Sequence, residues 1–576
     1  MPVNLGIDFG TSYTKLGYVD EDGHFVNLLG PGGMLPSVVA LAPEGGRLCF
    51  GSDSLSLPKE EAEIVRFFKI ELKRNLNFRV GDFGLSEILG SYFSYLRDQY
   101  VAGSLPHPLQ AVTVGVPNYF GLKARRMLLE TVRSVFPGVR VRLALEPVAA
   151  LVGLLAEGGP DEARLWQGNI LILDLGGGTA DASFVHVRPD RKVRVVLEAQ
   201  LHAGSDAFSG AEIDKSVLRQ TLFPCFEANT GITIPPRFKK EKGLNREELY
   251  EYSRMLKWAE EVKLRMQGQE DIVIDIPSFY RGRSLSAVFE KRNLSLVFER
   301  TLSRLEDFIN NVVGPSAERL GLFGAGKWDI DIVVLTGGVS KMQGVEEVVS
   351  RIGSRVYRPY SPEFSVIQGL CRWPGGESAL NLEVKTLLPF RFYIEKKGTE
   401  PELDTIPFDT ANLELDSGGV YRLFSVLPTS PYNLSEDNGR VKIRIYQGGE
   451  AQEPQEIRTD PEGLVLEESR PVQGDEPLEV WLDLAESCLR VAEEPELEVE
   501  GAIAGDVPCL WEAGLDRQHE VLARVRRLQL CRPEVSGYYA AVLEGLKRGR
   551  PFQNFDEAVK AKLLLFLDML SQSNHS

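Results

Sequence analysis

The run Ile170-Leu171-Ile172-Leu173-Asp174-Leu175-Gly176-Gly177-Gly178-Thr179-Ala180-Asp181-Ala182-Ser183 decides how the rest of the chain is read. Its apolar beginning predicts a buried strand, and the alternation from Ala182 to Val187 predicts a second strand after the glycines. The two strands form a hairpin whose tip can hold phosphate. Glycine lets successive N–H groups converge on an oxyanion, and Asp174 and Asp181 flank the turn with carboxylates suited to a hydrated Mg²⁺. Taken alone, such a stretch is equally an ordinary glycine-rich turn.

The design recurs in Leu5-Gly6-Ile7-Asp8-Phe9-Gly10-Thr11-Ser12-Tyr13-Thr14-Lys15-Leu16-Gly17-Tyr18-Val19. Strand, Asp, Gly, hydroxyl residue and second strand follow in the same order, which predicts two similar halves facing one ligand. A third element, Ile332 to Lys341, is another buried strand entering the Gly337-Gly338 turn, with a helix expected from about Gly344.

This combination resembles the actin-like ATPase fold, and within it the seventy-kilodalton heat-shock chaperone (DnaK type) family. The resemblance rests on Asp8 to Tyr13, Lys69 on an expected helix, Pro117-Asn118-Tyr119-Phe120 with Arg125, Glu146-Pro147, Asp174 to Asp181, and Gly337-Gly338, all in the family's order. It covers roughly the first 375 residues well and the next hundred more weakly. It implies ATP/ADP with Mg²⁺ as cofactors and hydrolysis of ATP to ADP and phosphate. Asp8, Glu146, Asp174 and Asp181 would then hold Mg²⁺ through its waters. Gly10, Thr11, Ser12, Tyr13, Gly176, Gly177, Gly178, Gly337, Gly338, Lys341 and Glu363 would bind nucleotide, with Glu260 and Lys263 on its ribose and adenine side. The catalytic set would be Lys69, which contacts the phosphate and attacking water, with Glu146, Asp174 and Thr179. Pro117 and Arg125 match a relay from cleft to domain surface. Implied partners are unfolded or extended polypeptide and J-domain and nucleotide-exchange co-chaperones.

Departures from the family are local. Leu264 stands where some members carry Arg, Gln267 and Val339 replace serines near the base, and Glu363 replaces Asp at the nucleotide rim. The linker reads Leu382-Glu383-Val384-Lys385-Thr386-Leu387-Leu388-Pro389-Phe390 rather than a leucine run between aspartates. Weak coupling between domains follows from that difference.

Composition sets wider bounds. With 576 residues, 43% hydrophobic and 26% charged, the chain can bury two to four domain cores. A net charge of -17 argues against nucleic acid or an anionic membrane as the main partner. A strand beginning within four residues leaves no room for a signal peptide, and no apolar run is long enough to span a bilayer, so a cytoplasmic protein is expected. The six scattered cysteines form no zinc pattern and are expected as free, buried thiols.

Several local expectations matter below. Val65 to Lys73 reads as a helix carrying Lys69, preceded by another helix start at Ser56 to Glu61. Leu85 to Tyr100 and Tyr250 to Met266 have helical periodicity. Glu146 precedes a proline, which biases its backbone to extended geometry. The expected organisation is an α/β nucleotide domain with duplicated halves at 1–377, a linker at 378–390, a degenerate substrate-binding-like β domain resembling a β-sandwich at 391–505, and a short helical cap at 506–576. A filament-forming or regulatory nucleotide binder and a small-molecule kinase of the same fold are the alternatives.

Overall fold

The computed structural model describes residues 3–492 apart from short internal stretches, the longest being 158–165 and 374–381. The chain divides into two compact units. One comprises Met1–Arg391, Asp409–Asp416 and Gln447–Val465, and the other Phe392–Phe408, Ser417–Tyr446 and the residues from Leu466 on.

In the first unit, β1 (Val3–Phe9), β2 (Tyr13–Val19), β3 (Phe25–Asn27), β4 (Leu109–Val116) and β5 (Arg140–Leu145) form a sheet in the order β5-β4-β1-β2-β3. The β1–β4 and β4–β5 ladders are parallel, and those of β1–β2 and β2–β3 are antiparallel. A second sheet repeats the plan with β6 (Gly168–Leu175), β7 (Ala180–Pro189), β8 (Val195–Ser205), β9 (Ile332–Thr336) and β10 (Arg355–Tyr357). Its order is β10-β9-β6-β7-β8, with the same parallel and antiparallel pairs. The expected duplication is therefore present strand by strand. Beyond β8 the second sheet gains β11 (Leu382–Thr386), which pairs in parallel with Val195 to Glu198. The middle of the expected linker is thus a strand, although Leu387 and Leu388 lie outside the described residues.

The apolar run before Asp174 is unbroken because both of its faces are buried. Ile170 and Ile172 belong to the core of the first half, whereas Leu171, Leu173 and Leu175 belong to the core of the second. A strand covered on both sides reads as continuous rather than alternating hydrophobicity. The same division holds in β9, where Ile332 and Val334 face one core and Val333 and Leu335 the other.

Helix α1 (Leu122–Val135) follows β4, and α2 (Glu146–Glu157) follows β5. The long α3 (Arg246–Gly268) contains the helix expected at Tyr250 to Met266, and α4 (Ser365–Cys371) lies against α2. Gly153 and Gly369 sit where these two helices touch. A Cβ on Gly369 would stand 1.6 Å from the Ala149 carbonyl oxygen, so only glycine admits this approach.

Two local expectations are corrected. Lys69 sits on one 3₁₀ turn, Phe68–Ile70, between the strand Glu63–Arg66 and the short helix Glu71–Arg74. The continuous helix fails at Phe67, whose φ of 64° is left-handed and interrupts helical geometry. Glu146 is the first residue of α2 rather than an extended residue, because proline is tolerated in a helix's first turn and Pro147 falls there. The helix start expected at Ser56 to Glu61 falls almost wholly outside the described residues, as does the helical cap at 506–576.

Largely within the second unit, Arg391–Lys396 and Arg440–Gly448 are neighbours in one sheet, and Val420–Val426, Leu478–Asp483 and Cys488–Ala492 form another, antiparallel one. Of the described cysteines Cys49, Cys225, Cys371 and Cys488, only Cys371 is buried.

Candidate nucleotide cleft

The site is built where the two phosphate hairpins meet. A Cβ on Gly177 would lie 2.4 Å from Ser12 Oγ, and one on Gly178 would lie 2.3 Å from Thr11 Cγ2. Neither position has room for a side chain. The Gly176 N–H donates to the Thr179 carbonyl at 2.9 Å and fixes the second tip. The first is braced from behind, since Ser37 Oγ donates to the Gly10 carbonyl at 2.7 Å and Tyr92 donates to Thr14 Oγ1 at 2.7 Å. Gly337, opening the third turn, is held by its N–H to the Pro362 carbonyl at 3.0 Å. Gly338 begins the 3₁₀ turn that ends at Lys341.

Five buried charged groups come together beside these tips. Lys69 is 2% exposed, and its Nζ lies 2.6 Å from Glu146 Oε1. Its ammonium also stands over the rings of Phe9 and Phe120 at 5.7 and 5.8 Å from their centroids. Phe9, Phe68, Tyr92 and Phe93 pack with centroids 5.2 to 6.0 Å apart, which locks the Lys69 turn onto β1. Aromatic pairs of this kind contribute about 0.5–1.5 kcal/mol each beyond the area they bury. Asp8, Asp174 and Asp181 complete the group.

Burial raises the Asp174 carboxyl to about 7, with Glu146 and Asp8 adding repulsion and Lys15 opposing it. Asp181 is raised to about 8 by burial, then by Glu146 and Asp174. Glu146 is also held above the usual carboxylate range by burial, against the pull of Lys69. Such a cluster carries more negative charge than its own cations neutralise. Asp181 Oδ1 is moreover buried with no hydrogen-bond partner, while Oδ2 accepts from Thr179 Oγ1 at 2.9 Å. Carboxylates short of countercharge and an orphaned oxygen fit a hydrated Mg²⁺, which retains water and takes few direct protein ligands.

A second group lies on the α3 side. Tyr13 donates to Glu260 at 2.9 Å, and Arg66 approaches the same carboxylate at 3.8 Å while donating to the Ser253 carbonyl at 3.0 Å. Lys263 pairs with Asp214 at 2.6 Å, and burial raises Asp214 to about 6 despite that lysine. Lys341, itself exposed, and Glu363 pair with each other at 2.7 Å. Leu264 is exposed on α3, and Val339 is buried.

Three participants were not singled out from the sequence. Lys15 lies directly opposite Asp8 in the β1–β2 ladder, with Nζ 2.7 Å from Asp8 Oδ2. Burial alone would lower its pKa, but Asp8, Asp174 and Glu146 outweigh that and hold it above the ordinary value. The period of two along β2, which places Tyr13 and Lys15 on one face, is the signal that could have found it. Arg66 and Asp214 come from remote segments, and no local pattern marks them.

Two like sheets meeting at paired phosphate hairpins define an actin-like ATPase fold. A family model described as Hsp70 protein matches residues 68–359. The chain is 26% identical over 354 residues to the chaperone protein DnaK of Halobacterium salinarum, covering 60% of this chain and 49% of that one. It is 23% identical over 465 residues to the chaperone protein DnaK of Thermotoga neapolitana, covering 77% and 70% respectively. The chain belongs to the Hsp70 family. It spans about half the length of the Halobacterium relative.

Proposed function

We propose that the chain is an ATP-hydrolysing chaperone-like protein in which nucleotide turnover is coupled, weakly, to binding of extended polypeptide. The observation that carries the catalytic part is the convergence of the Lys69–Glu146 pair with Asp8, Asp174 and Asp181 at the meeting point of the two hairpins. Members of the Hsp70 family are ATPases that bind ATP or ADP with Mg²⁺.

Phosphoryl transfer to water needs positioning and charge stabilisation more than covalent chemistry. The backbone of Gly10 to Ser12 and Gly176 to Thr179 would bind the phosphates. Asp8, Glu146, Asp174 and Asp181 would hold Mg²⁺ through water, and the ion would supply neutralising charge. Lys69, fixed by Glu146 and two aromatic faces, would orient the attacking water. Glu260 with Tyr13, and Lys263 with Asp214, would take the nucleoside end.

The polypeptide-binding part is supported by the DnaK relatives; Arg440–Gly448 lies between Arg391–Lys396 and Leu464–Pro471 in its sheet, so backbone pairing with an extended segment would fall to an edge strand such as Leu464–Pro471. We place the nucleotide domain at 1–377 and the polypeptide-binding domain at 391–505. The test is steady-state release of phosphate from ATP by the full chain, with and without extended apolar peptide. Hydrolysis that requires Mg²⁺ and responds to peptide supports the reading, and absence of hydrolysis refutes it.

A further inference from the structure

Behind the first phosphate tip runs a chain of three hydroxyls that the scheme above does not use. Ser37 Oγ donates to the Gly10 carbonyl at 2.7 Å, Thr14 Oγ1 and Ser37 Oγ lie 3.0 Å apart, and Tyr92 donates to Thr14 Oγ1 at 2.7 Å. Each hydroxyl carries one proton, so the bonds run one way. With the Ser37 proton engaged by Gly10, Thr14 must donate to Ser37, and Tyr92 to Thr14. All three residues are buried, and burial holds the Tyr92 phenol above its ordinary pKa, so it keeps the proton that starts the chain.

The far end of the chain acts on a peptide that needs an outside restraint. A Cβ on Gly10 would stand 2.2 Å from the Tyr13 carbonyl oxygen, so the turn requires glycine there, and glycine leaves the adjoining peptide freest to rotate. The Gly10–Thr11 peptide is planar and trans, so a carbonyl held back by Ser37 turns the Thr11 N–H the opposite way, out of the hydroxyl chain. That N–H has no acceptor among the described residues. A flipped peptide would instead present its carbonyl oxygen to a phosphate. Bonds linked in series also polarise one another, which strengthens the last of them. We propose that Tyr92, Thr14 and Ser37 are positioning residues of the phosphate site, a one-way hydroxyl chain that keeps the Gly10–Thr11 peptide in its oxyanion-binding orientation. This rests on the nucleotide-site reading above. The alternative is three hydroxyls that only satisfy one another in the core.

The two roles separate in calorimetric binding measurements on the full chain in Mg²⁺, with ADP and adenosine as probes. Ser37→Ala removes only the last link, since the Ser37 backbone N–H still donates to the Ser12 carbonyl at 2.9 Å. It should weaken ADP binding by about fivefold or more, the scale of one hydrogen bond, and leave adenosine binding unchanged because adenosine has no phosphate. Ser37→Thr, which keeps the hydroxyl, should retain most of the ADP affinity. Thr14→Val breaks the chain one link earlier at nearly the same side-chain outline and should cost about threefold in ADP affinity, and Tyr92→Phe less. A purely structural chain would lower the melting temperature of these variants and leave the ratio of ADP to adenosine affinity within about twofold of the parent. That result in Ser37→Ala and Thr14→Val, or in Thr14→Val alone where Ser37→Ala does not fold, overturns the proposal, and a loss confined to Ser37→Ala overturns the chain. A parent chain that binds neither ADP nor adenosine would instead remove the nucleotide-site reading itself.

Discussion

The two phosphate hairpins share a backbone plan and differ in charge. In the first, the residue opposite Asp8 is Lys15; in the second, the residue opposite Asp174 is Asp181. One hairpin neutralises its own carboxylate, while the other places two carboxylates across one ladder, where like charges repel. The difference teaches that duplication conserved the cradle and divided the electrostatics. The first half supplies the cations, Lys15 and Lys69, and the second supplies unmet negative charge that calls for a metal.

The largest effect expected from this division is at Lys69. Lys69→Ala should lower ATP turnover by roughly 10²–10³-fold, as for loss of one preorganised charge-stabilising donor, with ADP affinity nearly kept. Single-turnover hydrolysis checks this, and undiminished turnover would remove Lys69 from the mechanism. Next, Asp174→Asn should reduce Mg²⁺ affinity about 10–100-fold, the range seen when water-bridged or supporting groups of a metal site are lost. Asp8→Asn should reduce it less, since Asp8 is already shared with Lys15. Equal losses in Mg²⁺ titrations of ADP binding would break the asymmetry between the hairpins.

A pH series sharpens the same contrast. Folded Asp174 and Asp181 keep their protons up to about 7 and about 8, whereas unfolded carboxylates lose theirs near about 4. The folded chain therefore binds more protons between those limits, and the stability these groups contribute is full below about pH 4 and lost as pH rises through their folded values. The melting temperature of the metal-free chain should fall between about pH 4 and pH 8, and the stabilisation gained from Mg²⁺ should grow over the same span. Asp181→Asn should flatten that slope in calorimetry. The smallest effect concerns coupling: peptide affinity with ATP and with ADP should differ by about fivefold, or about 1 kcal/mol, and by less than about tenfold. A larger difference surviving Arg125→Ala would refute both the weak coupling and the relay through Pro117 and Arg125.

The cradle was legible because its chemistry is local. Strand, aspartate and glycine lie within a few residues, and their repetition at Asp8 and Asp174 exposed the two halves. Glu146 was legible as a site residue but not in its geometry, since the preference before proline yields to the first turn of α2. Lys15 escaped because a lysine within a strand reads as a solvent-facing residue until the register places it opposite Asp8. Arg66 and Asp214 depend on chain segments far apart in sequence. Their meeting with Glu260 and Lys263 is a tertiary fact that periodicity does not carry.

Phe67 has a consequence for how this chain could be improved. Its left-handed backbone costs a bulky residue about 1–2 kcal/mol, which glycine would largely avoid. That same backbone turns the chain from the strand Glu63–Arg66 into the single turn that aims Lys69. Selection for heat resistance would therefore favour relaxing Phe67, and selection for turnover would favour keeping it, so robustness and speed pull on one residue in opposite directions.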